Sequence, residues 1–369
     1  MEIYRFSILD LLPYFLLINL LFFLTNNKVK GLESAAGICW ALIFFSAIRV
    51  GTGYDYYAYK NLILGNVEDY TLERIEPLAK ALMEFSAYFH YQLFYVITSF
   101  LVIYPLYSVV KKYSKDPALS LAIYILFPIF FIESMSIIRN SVAYTFVFIA
   151  FISYIERRYW IALIIFACAI GFHISALIGL LLLPIYHFGQ GRTLNWLLWG
   201  VSLGASSILL NIISAISSNV PSLEVVARYM LKGDLGAGDT MMILINIIGL
   251  TNLIFWYKLS KVDEHNILWL RIINIGVALW NVFGFEGTLR LRLSSFFLIF
   301  MIILLPSYVY IVQNSYRRLT KQIICIFFLL VFSSSFYINI KSHLNTGDKM
   351  SFLPYQSIFY SIRYLQYEN

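Results

Sequence analysis

The sequence predicts an all-α polytopic integral membrane protein with about twelve transmembrane helices, in a range of about ten to fourteen. Of its 369 residues, 60% are hydrophobic and 13% are charged, whereas soluble domains carry roughly 25% charged residues. The mean hydropathy is +0.76. An aqueous fold of this size could not bury so much apolar surface, which excludes a soluble globular domain.

Apolar runs of about twenty residues recur along the chain, and each is long enough to cross a hydrocarbon core of roughly 30 Å. Backbone groups inside a bilayer must be satisfied within the segment, so these runs are predicted to be helices. Their continuous rather than alternating pattern excludes a transmembrane barrel. The predicted spans lie near residues 8–25, 33–48, 91–110, 118–135, 141–155, 159–171, 174–188, 196–216, 241–257, 267–283, 293–312 and 323–340.

The loops between these spans sort into two alternating kinds. One kind is short and basic, and the positive-inside rule places it in the cytoplasm. The other kind is longer and mixed in charge, and we expect it to face outward together with both termini. The basic loops contain Lys28, Lys30, Lys111, Lys112, Lys115, Arg157, Arg158, Arg192, Lys258, Lys261, Arg317, Arg318 and Lys321. The outward segments are 49–90, 217–240 and the tail 341–369.

No shift in composition divides the chain, so we expect a single membrane domain over residues 1–369. The outward loop 49–90 is too long for a simple connection. Its residues Ile75 to Tyr88 have helical spacing of apolar side chains, which predicts a short interfacial helix.

Several classes of function lose support on composition and motif. The cysteines Cys39, Cys168 and Cys325 lie in apolar runs, where thiols behave as small hydrophobic groups, so no disulfide and no metal site are expected. The net charge of +7 is scattered over short loops, which argues against nucleic acid as a partner. Motifs for nucleotide-phosphate binding, zinc hydrolysis and thiol redox chemistry are missing from the sequence, so no cofactor is expected.

Arginines gather at the ends of spans that meet outward loops, against the basic-inside pattern. A guanidinium keeps its charge and binds phosphate oxygens in a bidentate way, so a convergent set would suit a pyrophosphate. For Arg49 the alternative is a snorkelling side chain, and for Arg139 it is an interface anchor or an ion pair with Glu133. The set comprises Arg49, Arg139, Arg228, Arg290 and Arg292.

Seven short motifs, in this order, cover nearly the whole chain and resemble the EpsG family of polysaccharide polymerases, which is related to the Wzy O-antigen polymerases. They are Arg49-x-Gly51-x-Gly53-x-Asp55-Tyr56-x-x-Tyr59, Glu76-Pro77-Leu78, Arg139-Asn140-x-x-Ala143, Phe172-His173-x-Ser175-Ala176, Arg228-Tyr229, Arg290-x-Arg292 and Leu353-Pro354-Tyr355.

The resemblance implies a glycosyltransferase of the bacterial inner membrane, active on the periplasmic side. Such an enzyme would transfer a growing glycan from undecaprenyl pyrophosphate to a hydroxyl of the next lipid-linked repeat unit, in the lipid bilayer, with a chain-length regulator as a possible partner. An O-antigen ligase is the alternative enzyme. A lipid-linked oligosaccharide flippase is the alternative without catalysis.

Within that interpretation the arginines would cradle the pyrophosphate and stabilise charge on the leaving group. The candidates for the general base are Asp55, Glu76 and His173, although a single histidine is more often a structural hydrogen-bonding residue. The candidate sugar contacts are Tyr56, Tyr59, Asn140, Tyr229 and Tyr355. Tyrosine is common in this chain, with 28 residues, and is enriched at membrane interfaces.

The loop assignment predicts that a topology reporter fused after Lys115 reads as cytoplasmic and that one fused within 217–240 reads as external. Paired phosphatase and fluorescent-protein fusions measure both positions. An external signal after Lys115 would contradict the assignment.

Overall fold

The computed structural model of the chain describes residues 8–26, 31–66, 75–189, 191–217, 238–346 and 352–359. Helices dominate these residues. In chain order they are α1 (Leu12–Asn26), α2 (Gly31–Ala47), α3 (Tyr56–Leu64), α4 (Pro77–Phe89), α5 (Gln92–Tyr113), α6 (Pro117–Leu126), α7 (Phe131–Ser134), α8 (Ile138–Ile155), α9 (Tyr159–Phe172), α10 (Leu182–Phe188), α11 (Arg192–Ser217), α12 (Gly238–Ile254), α13 (Trp256–Ser260), α14 (Asn266–Val282), α15 (Gly287–Leu298), α16 (Met301–Leu304) and α17 (Arg317–Thr346). Short 3-10 helices lie at Ile8–Leu11, Ile174–Leu181, Leu305–Tyr310 and Asn314–Tyr316.

Each predicted span falls on a helix or on a short succession of helices, which confirms an all-α protein with membrane-spanning character. Within the described ranges, four helical segments have the length and composition to cross a bilayer, and a fifth is a pair bent by 42°. The total of about twelve spans stays a prediction. The long segments are Gln92–Tyr113, Ile138–Ile155, Arg192–Ile212 and Asn314–Lys341, and the bent pair is Gly287–Leu298 with Met301–Tyr310.

The predicted span 118–135 is not one helix. Pro117 occupies the first turn of α6, and Asp116 caps it by accepting a hydrogen bond from the Leu119 amide at 3.0 Å. The helix ends at Leu126 because Pro128 lacks a backbone donor and disfavours helical geometry in the residue before it. Residues 127–137 therefore form a turn, within which α7 is a single short helix.

The boundary predicted between the spans 159–171 and 174–188 coincides with the end of a helix. Helix α9 ends at Phe172, and His173 has extended backbone with φ −159° and ψ 128°. The helix predicted within Ile75–Tyr88 is present as α4, which begins two residues later, at Pro77. Its interfacial position stays a prediction.

The chain divides into two compact units, and the predicted single membrane domain stays a prediction. Unit 1 comprises residues 1–174 and 316–369, and unit 2 comprises residues 175–315.

Unit 1 contains the only strand pairing among the described residues. Strand β1 (Arg49–Val50) follows α2 directly and pairs antiparallel with β2 (Gln356–Ser357). The Tyr14 hydroxyl donates to the Phe352 carbonyl at 2.8 Å, which fixes the same segment to α1. Residues 352–359 therefore lie at the end of unit 1 where α2 exits, on the side that the sequence assigns to the exterior.

Unit 2 is held by a buried network of amide groups that joins α11, α12 and α14. The Asn281 amide donates to Asn246 and to Ser202, both at 2.9 Å, and the Trp199 indole donates to Asn246 at 3.0 Å. Polar groups between membrane helices need such partners because lipid offers none.

The Asn281→Ala substitution should lower the stability of the folded protein, because it leaves Asn246 and Ser202 with fewer buried partners, at a cost of about 1–2 kcal/mol. Thermal unfolding in detergent measures this change. Asn19→Ala is the control, since Asn19 is exposed and bonds its own helix. Equal unfolding temperatures for the two variants would contradict a structural role for the network.

Candidate active site

A glycine loop between α2 and α3 lies against the turn that precedes α8. Gly53 has φ +108°, and a Cβ at that position would lie 2.4 Å from the carbonyl oxygen of Met135. The Tyr54 amide donates to the Ser136 hydroxyl at 3.0 Å. Only glycine permits this backbone conformation at such close approach. The Gly-x-Gly motif therefore fixes Asp55, which follows it, beside the start of α8.

Arg139 lies in the first turn of α8 rather than in a free loop, and it forms an ion pair with Glu76. Its Nε also donates to the Tyr59 hydroxyl at 3.3 Å. Glu76 takes the position before Pro77, at the N-terminal end of α4. The partner of Arg139 is thus Glu76, where the sequence offered Glu133.

His173 completes this group from the end of α9. Its Nδ1 lies 4.0 Å from Oε1 of Glu76, and the same oxygen accepts a hydrogen bond from the Ile174 amide at 3.1 Å. The Glu76 carboxylate thus binds Arg139 with one oxygen and the turn at His173 with the other. We call these residues the Arg139–Glu76–His173 cluster. Their side chains keep 14–25% of their surface exposed, so a substrate could reach them.

A close contact between α4 and α9 brings Glu76 to His173. A Cβ at Gly171 would lie 2.7 Å from Cγ and Cδ1 of Leu78. Leu78 is two residues after Glu76, and Gly171 is two residues before His173. The missing side chain at Gly171 therefore sets the distance between the two functional groups, as small residues do at membrane helix contacts.

Asp55 and Glu133 form a second pair of acidic groups near the cluster. Asp55 precedes α3, Glu133 belongs to the short helix α7, and their carboxyl groups are close enough to interact electrostatically. Asp55 is partly exposed. Within the described part of the chain, no three His, Cys, Asp or Glu side chains meet as a metal site.

Several other predicted site residues of unit 1 are buried. Arg49 is 1% exposed, donates to Ser46 and Ser99, and has its guanidinium carbon 5.1 Å from the centre of the Tyr95 ring. Tyr56 stacks on Tyr95 with ring centres 4.4 Å apart. This packing gives no access to a sugar or a phosphate. The remaining buried candidates are Tyr59, Asn140 and Tyr355.

The other predicted phosphate-binding residues are not in unit 1. Arg228 and Tyr229 lie outside the described residues. Arg290 and Arg292 belong to α15 of unit 2, inside the helix rather than before it, because α15 begins six residues earlier than the predicted span. Arg290 is 7% exposed, and its guanidinium carbon lies 4.8 Å from the centre of the Trp280 ring. Convergence of Arg139, Arg228, Arg290 and Arg292 on one ligand stays a prediction, whereas the burial of Arg49 argues against its contact with a ligand.

Ser136, Tyr54 and the contact between Leu78 and Gly171 were not predicted from the sequence. Gly171 had a signal in the sequence, since it lies at the end of the predicted span 159–171, two residues before His173. Ser136 had no such signal, because nothing in an apolar run indicates which group a serine contacts.

Comparison with known proteins identifies the family of this chain. No curated protein and no solved structure matches it. A family model described as the EpsG family matches residues 36–357, a range that contains every residue of the Arg139–Glu76–His173 cluster and the glycine loop. The chain belongs to the EpsG family, a family of polysaccharide polymerases.

Proposed function

We propose that this protein is a membrane glycosyltransferase that lengthens a polysaccharide by transferring the growing glycan from undecaprenyl pyrophosphate to a hydroxyl of the next lipid-linked repeat unit. The Arg139–Glu76–His173 cluster is the observation that carries this proposal, because it combines a base and a fixed positive charge in a partly exposed position.

The reaction breaks the bond between the anomeric carbon and the pyrophosphate oxygen and forms a bond from that carbon to the acceptor oxygen. The acceptor hydroxyl gives up one proton, and the lipid pyrophosphate leaves with the electron pair of the broken bond. The protein must therefore accept a proton and stabilise negative charge on the leaving group.

His173 is the general base in this proposal. Glu76 is less suited to that role, because its oxygens already accept hydrogen bonds from Arg139 and from the Ile174 amide. Its negative charge, 4.0 Å from the imidazole, instead favours the imidazolium that forms when His173 takes the proton. Asp55 remains the alternative base, since it is partly exposed on the neighbouring loop.

Arg139 is the phosphate ligand from unit 1. Its guanidinium has five N–H donors, and its contacts to Glu76 and Tyr59 fix its orientation without using all of them. The pyrophosphate-binding roles of Arg228, Arg290 and Arg292 stay predictions from the sequence. Arg49 is assigned a positioning role, because it is buried beneath the loop that carries Asp55.

The inner membrane, with the site facing the periplasm, is the proposed location. The basic loops favour a cytoplasmic position for the opposite ends of the helices. Two of those basic residues are partly neutralised, since Lys112 pairs with Glu156 and Lys321 pairs with Asp116, both at 2.6 Å.

Substitutions Arg139→Ala and His173→Ala should each lower polymer formation at least a hundredfold, because each removes charge stabilisation or proton transfer from the transition state. Complementation of a strain that lacks the protein, followed by gel analysis of polysaccharide ladders, measures chain length at matched expression. Arg158→Ala is the control, since its side chain is 63% exposed in a loop assigned to the cytoplasm.

Full-length polymer from both variants would contradict the assignment of the cluster. The deletion strain itself tests the type of enzyme. Loss of a polymerase leaves single repeat units attached to the core, whereas loss of a ligase leaves bare core, and loss of a flippase leaves lipid-linked units on the cytoplasmic side.

Gly171→Ala should lower polymer formation roughly tenfold or more, because the added methyl group collides with Leu78 and moves Glu76 away from His173. The double variant Gly171→Ala with Leu78→Ala should recover most of the activity, since it removes the colliding atoms. Polymer yield at matched expression measures both variants.

Gly37→Ala is the matched control for this prediction. Gly37 also lies in a helix of unit 1, but a Cβ there would lie at an ordinary 3.5 Å from Leu24. Equal activity of the Gly171 and Gly37 variants, or no recovery in the double variant, would contradict the role of the contact.

A further inference from the structure

The geometry points to a carbohydrate-binding subsite formed by Tyr54 and Asp55, which takes a sugar residue of the lipid-linked repeat unit beside the Arg139–Glu76–His173 cluster. This inference rests on the proposed function and names residues that bind its substrate. Tyr54 takes the sugar-contacting role that the sequence assigned to Tyr56, Tyr59 and Tyr355, which are buried.

Tyr54 combines an exposed ring with a fixed backbone. Its side chain is 58% exposed, whereas the neighbouring Thr52 and Tyr56 are buried. Its amide donates to the Ser136 hydroxyl, and Gly53 before it lies against the Met135 carbonyl. A ring on so firmly held a loop loses little conformational freedom when a ligand binds, which favours affinity.

The ring of Tyr54 also has a defined orientation. It makes a T-shaped contact with Phe352, with ring centres 5.7 Å apart and planes at 87°. Such a contact occupies at most one face of the tyrosine ring. The other face can pack against the C–H groups on one side of a pyranose, while the phenol oxygen stays in water.

Asp55 supplies the polar part of the subsite. A carboxylate accepts hydrogen bonds from neighbouring hydroxyl groups, and Asp55 is partly exposed and directly follows Tyr54 in the chain. An aromatic face beside acceptors for hydroxyl groups suits a sugar better than a phosphate, which the negative charge would repel.

The position of the subsite agrees with a glycan whose end reacts at the cluster. Helix α3 starts at Tyr56, and Tyr59 on that helix bonds Arg139. The Tyr54 amide bonds Ser136, three residues before Arg139, so Tyr54 is linked to the segment of Arg139 on both sides of the glycine loop. A sugar attached to a pyrophosphate at Arg139 would therefore lie near this loop.

A second exposed tyrosine provides the comparison. Tyr88 is 84% exposed near the end of α4, where its ring packs on Phe89, as expected for a residue that anchors a helix at a membrane surface. Tyr88 therefore controls for the loss of an exposed aromatic group that does not bind sugar.

The test uses purified full-length protein and lipid-linked repeat units extracted from a strain that lacks the polymerase. Tyr54→Leu should raise KM about tenfold and change kcat less than twofold, because leucine keeps an apolar side chain but has no aromatic face. Tyr54→Phe should keep KM within twofold. Tyr88→Leu should leave both constants unchanged, and Asp55→Asn should raise KM.

Equal effects of Tyr54→Leu and Tyr88→Leu would overturn the subsite, and so would a normal KM in Tyr54→Leu. Binding of the free, delipidated repeat oligosaccharide provides a measurement without catalysis. Saturation-transfer NMR should detect that oligosaccharide with the wild type and with His173→Ala, but not with Tyr54→Leu.

Absence of a signal with the wild type would also overturn the inference. If Tyr54→Leu does not accumulate, Tyr54→Ser takes its place in the NMR experiment. Oligosaccharide binding does not require His173. Polymer formation by the His173→Ala variant therefore tests the proposed reaction, whereas oligosaccharide binding by the Tyr54→Leu variant tests the subsite.

Discussion

The site depends on the interactions of the Glu76 carboxylate. Glu76 lies at the start of α4, and its carboxylate joins three segments that are far apart in sequence. It pairs with Arg139 at the start of α8 and accepts a hydrogen bond from the Ile174 amide after α9. A charge in this partly buried position needs partners on both oxygens, and one of these partners, Arg139, also has a proposed function. Loss of this carboxylate would release Arg139 and the turn at His173 together.

Buried aromatic side chains around Arg49 support the site. Arg49 is surrounded by Tyr95, Tyr56 and the segment of Tyr355, without a carboxylate partner among the described residues. Hydrogen bonds to hydroxyl groups and the face of the Tyr95 ring stabilise its charge instead. The family motifs therefore contain two kinds of residue: those that are buried and form the support, such as Arg49, and those that are partly exposed, such as Arg139.

Much of the fold could be predicted from the sequence, because the need to satisfy the backbone in lipid leaves helices as the only solution for long apolar runs. The break before Pro128 also follows from the sequence, through the proline itself, but the side chains that meet could not be predicted. Hydropathy locates Glu76 and Arg139 at helix ends but contains no information on which ends adjoin. The approach of Glu76 to His173 depends on the packing of Leu78 into the space at Gly171, which is a property of two distant helices.

The pairing of β1 with β2 has a consequence for biosynthesis. Tyr355 bonds the Phe45 carbonyl 310 positions earlier, so the glycine loop lacks the contacts of residues 352–359 until the distal part of the chain has been synthesised. Contacts of such long range form late and slowly. A nascent chain would thus hold unit 1 in an incomplete form through most of its synthesis.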